Sequence, residues 1–208
     1  AKLNQKMTGS FGHINATSFY PGKNLGALGE AGAITTDNKD YYHKVKVLRN
    51  YGSEEKYYNS LIGYNARIDE CQASVLKVKL KYLNNWNDQR KCVAENYHRL
   101  LKDIKYIQIP HEIPDSNSVW HQYVIQANKR DELQFWLNSL GIETLIHYPV
   151  PPFRQLAFKD LELFQSSKFP LADKLANHSL SLPIYPGLTF QDQEYIASKI
   201  YEFYTHNC

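Results

Sequence analysis

The stretch that decides the fold is residues 18–34, which read SFYPGKNLGALGEAGAI. We expect one short strand over residues 14–19 and another over 32–36, with a glycine-rich loop at 21–29 between them. Lys23 lies at the centre of that loop. Because glycine lets a backbone take positive φ and come close to a bulky ligand, the loop is a candidate binding site.

Two common glycine motifs do not fit this loop. A phosphate-binding P-loop needs GxxxxGK[ST], but Thr17 and Asn24 occupy the positions of its first glycine and its final Ser or Thr. A dinucleotide fingerprint needs GxGxxG, whereas the glycines here fall at 26, 29 and 32. A lysine in such a loop can instead form a Schiff base with an aldehyde. The alternative is an ordinary solvated lysine in a hairpin.

The composition is that of a folded globular chain. It is 43% hydrophobic and 22% charged, which excludes a disordered tail, and a net charge of +3 with mixed signs argues against a nucleic-acid partner. No apolar run approaches the roughly 20 residues of a membrane span, so no membrane partner is expected. The cysteines, at 71, 92 and 208, are far apart, and neither they nor the histidines have metal-ligand spacing. These features favour a reduced, cytoplasmic setting without a metal.

The segment after the loop is expected to be mainly helical. A turn at Asp37 and Asn38 precedes a predicted helix over 39–49, and residues 50–65 have the composition of an irregular surface loop. From about Asp69 a long helix is predicted, with these apolar residues close to one face: Leu76, Leu80, Leu83, Trp86, Val93, Tyr97 and Leu100. Such a helix could connect two domains.

The remainder alternates strands with helices. Strands are predicted over 119–126 and 143–147, and a helix over 169–180. Two further helices have predicted capping pairs: Asn128 with Asp131, for a helix that ends at Gly141, and Thr189 with Asp192, for the last helix. This alternation predicts an α/β or α+β unit.

Several short motifs follow the lysine stretch in order. They are Arg49-Asn-Tyr-Gly52, Gly63-Tyr-Asn-Ala-Arg-Ile-Asp69 with Gln72-Ala73, Ile146-His-Tyr-Pro-Val-Pro-Pro152 and Leu180-Ser-Leu-Pro183. Together these residues resemble the DegT/StrS-type nucleotide-sugar aminotransferases over essentially the whole chain. The resemblance implies the α/β architecture of fold-type I enzymes that use pyridoxal 5'-phosphate (PLP). Residues 1–68 would be part of the large PLP-binding domain, and 69–208 the connecting helix and small C-terminal α/β domain.

The resemblance also implies roles for individual residues. Lys23 would form the Schiff base with PLP and then carry a proton between carbon atoms. Ser18 would bind the PLP phosphate, or else be an ordinary strand serine. Asn65 would reach the phosphate of the neighbouring subunit, or else be a turn former. For Arg67 a structural role and an interface contact stay equally open.

Substrate contacts are implied further along the chain. His147 and Tyr148 match positions that approach the sugar nucleotide, although packing is the alternative for both. The stretch 141–152 is most similar to members that aminate C3 of a thymidine-diphosphate-linked keto-deoxysugar. Phe153 and Arg154 depart from the His-Leu pair expected after the prolines, which puts the sugar specificity in doubt.

The function implied is a transaminase that moves an amino group, from glutamate, onto a nucleotide-linked ketosugar. It would act in deoxyaminosugar biosynthesis, such as that of lipopolysaccharide or O-antigen, as a cytoplasmic homodimer. In the family the acid that pairs with the pyridine nitrogen, a Gly/Thr phosphate loop and a stacking aromatic lie upstream of these motifs. The 208 residues alone are therefore expected to be inactive. The alternative is a non-catalytic C-terminal fragment that retains only the fold and association surfaces.

Overall fold

The computed structural model describes residues 1–159 and 169–207. The chain divides into two compact units. Unit 1 contains residues 1–87 and 112–119, and unit 2 contains residues 88–111 and the described residues from 120 onward. The division predicted after residue 68 concerns the large and small domains of the complete enzymes and stays a prediction.

The regular elements are short strands and six α-helices within the described residues. The strands are β1 (Lys2–Leu3), β2 (Lys6–Met7), β3 (Asn15–Ser18), β4 (Gly32–Thr35), β5 (Ser53–Glu55), β6 (Tyr58–Asn59), β7 (Ile107–Gln108), β8 (Ser116–Asn117), β9 (Tyr123–Ala127) and β10 (Ser179–Leu182). The helices are α1 (Lys39–Leu48), α2 (Glu70–Lys79), α3 (Leu83–Leu101), α4 (Arg130–Ser139), α5 (Pro170–His178) and α6 (Phe190–Asn207), with two 3-10 turns at Pro152–Arg154 and Leu156–Phe158. None of these described helices has the length and apolar character needed to cross a membrane.

In unit 1, a hairpin of β3 and β4 carries the lysine loop. The strands pair antiparallel, with Ser18 opposite Gly32. The Phe19 amide extends the ladder by donating to the Ala31 carbonyl at 2.8 Å. Both predicted strands are confirmed to within one residue at each end, and the two ends of the loop lie side by side.

The predicted helix over 39–49 is confirmed as α1. The Asn38 side chain accepts hydrogen bonds from the amides of Asp40 and Tyr41, at 2.8 and 3.0 Å. These bonds satisfy two amides that the first helical turn leaves without partners. The helix ends at Leu48, one residue before the predicted end.

The single long helix expected from about Asp69 is instead two helices, α2 and α3. Between them Lys81 and Tyr82 donate to carbonyls three residues back, at 3.2 and 2.9 Å. The four-residue pattern returns with the Trp86 amide at 3.0 Å. A turn of 3-10 type therefore interrupts the helix. The apolar pattern did not reveal this break, because it continues across the turn.

Unit 2 is built on a three-stranded antiparallel sheet of order β10-β9-β7. Every residue of β10 is buried, and β9 alternates buried with half-buried residues. Helices α3, α4 and α6 add apolar side chains to one contiguous core. Its largest fully buried side chains are those of Tyr97, Leu101, Tyr123, Ile125, Leu133, Leu137, Leu180 and Ile200. Burial of such side chains is worth roughly 1.5–3 kcal/mol each.

Two predicted helix boundaries in unit 2 are confirmed. Gly141 follows α4 with φ +77°, and the Ile142 amide donates to the Leu137 carbonyl at 3.0 Å, as in a Schellman motif. At the start of α6 the Asp192 amide donates to Thr189 Oγ1 at 3.1 Å. The Thr189 amide in turn donates to the Asp192 carboxylate at 3.4 Å, which completes the reciprocal pair.

The capping pair predicted at Asn128 and Asp131 is wrong. Helix α4 begins after Lys129, whose φ of +52° is left-handed and whose side chain makes no capping bond. The Asp131 carboxylate instead accepts from Arg130 Nε at 2.6 Å. Sequence spacing alone could not reveal this competing local bond.

Two other boundaries in unit 2 also differ from expectation. The strand predicted over 143–147 is reduced to a single bridge between Leu145 and Ser181. The helix predicted over 169–180 ends at His178, because the following residues form β10 and pair with β9. Long-range pairing therefore overrides the local helical pattern at this point.

Candidate functional site

The loop that carries Lys23 folds back on itself. The Lys23 amide donates to the Tyr20 carbonyl, and the Ala27 amide to the Phe19 carbonyl, both at 2.8 Å. A Cβ atom at Gly26 would lie 2.2 Å from the Pro21 carbonyl oxygen, so only glycine fits there. The Lys23 side chain is half-buried and belongs to none of the ion pairs formed within residues 1–159 and 169–207. Its amine is thus available for a covalent bond.

Ser18 is the last residue of β3 and opens the same loop. Its hydroxyl oxygen accepts from the Tyr20 amide at 3.2 Å, and the residue is exposed. A hydroxyl that accepts one bond can still donate its own proton. Ser18 therefore retains the donor that a phosphate oxygen would accept, and Ser18 and Lys23 stand at the start and centre of one loop.

Three polar side chains, for which the sequence predicted no role, hold this loop within unit 1. Asn24 Nδ2 donates to Asn87 Oδ1 and to the Val119 carbonyl, both at 2.8 Å. Gln72 Oε1 accepts from the Leu28 amide at 2.8 Å. Lys79 Nζ donates to the Gly26 carbonyl at 2.7 Å. The available signal was the spacing of Gln72 and Lys79, which are seven residues apart and fall on one helix face.

Asn65 lies on a second loop of unit 1 and is exposed. It forms an antiparallel bridge with Asn50, and the Tyr51 amide beside the bridge donates to the Tyr64 carbonyl at 2.9 Å. A close backbone approach supports the loop, since a Cβ atom on Gly52 would lie 1.8 Å from the Leu61 carbonyl oxygen. The bridge fixes the backbone at Asn65, and the residue is exposed to solvent.

Arg67 braces this second loop. Its Nη1 donates to Asn50 Oδ1 at 2.9 Å and its Nη2 to the Tyr51 hydroxyl at 3.2 Å. The guanidinium carbon also lies 4.9 Å from the centre of the Tyr51 ring, within cation–π range. Arg67 was open to a structural role or an interface contact, and these contacts support the structural role.

His147 and Tyr148 belong to unit 2. The Nδ1 atom of His147 lies 2.8 Å from the hydroxyl of Ser181, and Ser181 is buried in β10. The backbones of Leu145 and Ser181 exchange hydrogen bonds of 3.2 and 2.8 Å. The His147 ring is therefore oriented from the sheet, whereas Tyr148 is 73% exposed. Ser181 belongs to the motif Leu180-Ser-Leu-Pro183, but the motif alone does not predict its contact with His147.

The residues after the prolines, which depart from the family pattern, have packing partners. The Phe153 ring centre lies 4.9 Å from that of Phe169. Arg154 forms a bidentate ion pair with Asp173, and this contact holds the pKa of the Asp173 carboxyl below its ordinary value. A shallow cavity of about 270 Å³ lies beside the pair and is lined partly by Pro149 and Pro151.

The chain belongs to the DegT/DnrJ/EryC1/StrS aminotransferase family, whose model matches residues 1–201. A solved structure supports the same fold: DesV of S. venezuelae in complex with a ketimine intermediate is 36% identical, with a TM-score of 0.92 over 97% of this chain and 54% of that chain. The predicted family and the α/β, fold-type I architecture are thus confirmed. Members of this family use PLP as their cofactor.

Two curated relatives have comparable similarity. A Geobacillus stearothermophilus protein named "Pleiotropic regulatory protein" is 42% identical over 208 residues, which cover 99% of this chain and 56% of the relative. The dTDP-3-amino-3,4,6-trideoxy-alpha-D-glucose transaminase of Streptomyces venezuelae is 39% identical over 188 residues, covering 90% of this chain and 49% of the relative. The chain spans about half the length of the curated relatives it matches.

Proposed function

We propose that the full-length protein containing this chain is a PLP-dependent aminotransferase that acts on a nucleotide-linked ketosugar. The observation that carries the proposal is the loop of Lys23, a half-buried residue whose amine has no ion-pair partner within the described residues. Membership of an aminotransferase family supports the same chemistry.

The residues of this loop fit a phosphorylated aldehyde cofactor. Lys23 supplies the amine that binds it, and Ser18, five residues earlier, supplies a hydroxyl donor for its phosphate. When bound, PLP supplies an electron sink for the breaking of a C–H bond. Lys23 then holds and moves the proton of that carbon through its ε-amine. Asn65, from the neighbouring subunit, contributes a further phosphate donor.

The proposed substrate is a dTDP-linked 3-keto-6-deoxyhexose, with glutamate as the amino donor. The name of the Streptomyces relative, a dTDP-3-amino sugar transaminase, supports amination at C3. His147 and Tyr148 are proposed to contact the sugar nucleotide. The orientation of the His147 ring by buried Ser181 supports this role, because a fixed ring can discriminate among hydroxyl positions.

We also propose a cytoplasmic homodimer in which residues 63–69 reach the neighbouring subunit's cofactor. Large apolar side chains in the segment that precedes Asn65 are strongly exposed, with Ile62 at 97%, Tyr57 at 84% and Tyr64 at 71%. Several exposed large apolar side chains in one short segment are typical of an association surface. The biological role would be the synthesis of deoxyaminosugars, for a surface polysaccharide such as O-antigen.

The test is a panel of 3-keto and 4-keto nucleotide sugars, each linked to dTDP or UDP, assayed with the purified full-length protein, PLP and glutamate. We expect glutamate-dependent amination with preference for the dTDP-linked 3-keto substrate. Preference for a 4-keto sugar would refute the substrate proposal alone. A full-length protein that retains no cofactor absorbance after incubation with PLP and removal of the free cofactor would instead favour a non-catalytic association module.

A further inference from the structure

Helix α2 has one face that is not exposed. Four residues of this helix are buried or half-buried: Gln72, Val75, Leu76 and Lys79. All other residues of the helix are exposed. Their spacing of three, four and seven places them on one side of the helix. Leu76 at the middle is the single buried residue, and a polar side chain lies on either side of it.

Both polar residues of this face bond to the backbone of the lysine loop. Gln72 accepts from the Leu28 amide, and Lys79 donates to the Gly26 carbonyl. The two contacts have opposite polarity, so one satisfies a backbone amide of the loop and the other a backbone carbonyl. The bond from the Lys79 ammonium is charge-assisted and is thus stronger than a neutral one.

A third contact anchors the residue next to Lys23. The Asn24 amide group donates two hydrogen bonds of 2.8 Å, one to the Asn87 side chain and one to the Val119 carbonyl. The loop is therefore held at every second residue, at Asn24, Gly26 and Leu28. Lys23 is adjacent to the first of these points.

We propose that Gln72, Lys79 and Asn87 are positioning residues that fix the loop of Lys23 and so direct its amine. The catalytic part of this inference rests on the proposed function, whereas the holding of the loop does not. A displacement of about 1 Å at a reacting group can lower a rate by roughly 100-fold, so side chains that never touch the substrate can matter for turnover.

The first experiment measures amide exchange in the full-length protein. In Gln72→Leu the Leu28 amide loses its acceptor, and its exchange should accelerate roughly tenfold. The Ala27 amide, which donates to the Phe19 carbonyl, should exchange as in the wild type and serves as the internal reference. Unchanged exchange at Leu28 would overturn the proposed clamp.

The second experiment compares two lysines of α2 in the PLP-loaded full-length protein. Lys79→Met should lower kcat by roughly 10- to 100-fold with KM for the nucleotide sugar unchanged, and should shift the pH titration of the cofactor absorbance. Lys79→Arg keeps a donor and should recover part of the loss. Lys77→Met, at an exposed position of the same helix, should resemble the wild type.

The outcomes separate the two proposals. Wild-type kcat and an unshifted absorbance titration in Lys79→Met would overturn the positioning role. A full-length protein that never binds PLP would refute the proposed function, while Leu28 exchange would still decide whether Gln72 holds the loop.

Discussion

The two units of this chain are stabilised in different ways. Among the described residues of unit 1, the buried apolar side chains are Ala27, Val47 and Leu76. Unit 2 has a contiguous core drawn from a three-stranded sheet and three helices. The lysine loop lies in the unit with the smaller core, where hydrogen bonds and close approaches at glycine fix the backbone.

This difference indicates that unit 1 fixes the geometry of the lysine loop, whereas the core of unit 2 supplies most of the stability. Burial in unit 2 contributes free energy in proportion to area and is not directional, while each hydrogen bond in unit 1 contributes little free energy but is directional. Substitutions in unit 1 should therefore change binding and turnover more than stability. Substitutions in the core of unit 2 should do the reverse.

The largest effect is expected at Lys23. In the full-length protein Lys23→Arg should abolish transamination, because a guanidinium stays protonated and cannot bond covalently to the cofactor aldehyde. The melting temperature without PLP should not change, since the side chain has no ion-pair partner within the described residues. Lys44→Arg, at an exposed position of α1, is the matched control and should keep full activity.

The reverse behaviour is expected for the core of unit 2. Leu137 is fully buried, and Leu137→Ala should lower the free energy of unfolding by about 2–5 kcal/mol. Leu171→Ala, at a residue 67% exposed, should change it by no more than about 0.5 kcal/mol. Denaturant unfolding of both variants measures this. An equal loss of unfolding free energy in the two variants would contradict the location of the core around Leu137.

A smaller effect is expected at Asn65. Asn65→Ala in the full-length protein should weaken PLP retention roughly tenfold, through the loss of one hydrogen bond to a charged phosphate. Equilibrium dialysis against PLP measures the change, with the exposed Asn59→Ala as control. Cofactor affinity equal to the wild type would remove Asn65 from the proposed site.

Two buried tyrosines of unit 2 offer a finer comparison. The Tyr97 hydroxyl donates to the Pro183 carbonyl at 3.0 Å, whereas the Tyr123 hydroxyl is buried without a partner among the described residues. Tyr97→Phe should destabilise the fold by about 1 kcal/mol, and Tyr123→Phe should be neutral or stabilising. Thermal unfolding of the two variants decides this, and a larger loss for Tyr123→Phe would contradict the assignment.

The same tyrosines predict a response to alkali. Burial raises the pKa of Tyr97 and of Tyr123 above the ordinary tyrosine value. Their contribution to stability is therefore complete below the unfolded pKa of about 10 and is lost as the pH rises further. Between pH 8 and 12, the free energy of unfolding should fall less steeply with pH in the double Phe variant than in the wild type. An identical slope would show that these groups do not titrate on unfolding.

Local features of the fold followed from the sequence. The hairpin of β3 and β4, the end of α4 at Gly141 and the pair of Thr189 with Asp192 were all predicted, because short-range steric and capping rules determine them. The pair of Asn128 with Asp131 obeyed the same rule and did not form. In place of the predicted pair, the Asp131 carboxylate accepts from Arg130, so a neighbouring charged side chain can compete for a predicted capping residue.

Long-range features of the fold did not follow from the sequence. The helix face predicted after Asp69 holds for Val93, which is buried, but Leu80 on the same pattern is 57% exposed. The bonds from Gln72 and Lys79 to the lysine loop join residues 44 and 53 positions apart, and no periodicity encodes such a contact. Lys23 itself was identified from its motif, whereas the side chains that hold its loop needed the structure.

The central claim, that Lys23 is the residue that holds the cofactor, is tested most directly by borohydride reduction of the PLP-loaded full-length protein, followed by peptide mass analysis. The pyridoxyl group should be found on the peptide that contains Lys23, and Lys23→Arg should carry no label. Stable label on any other lysine of the wild-type protein would contradict the claim.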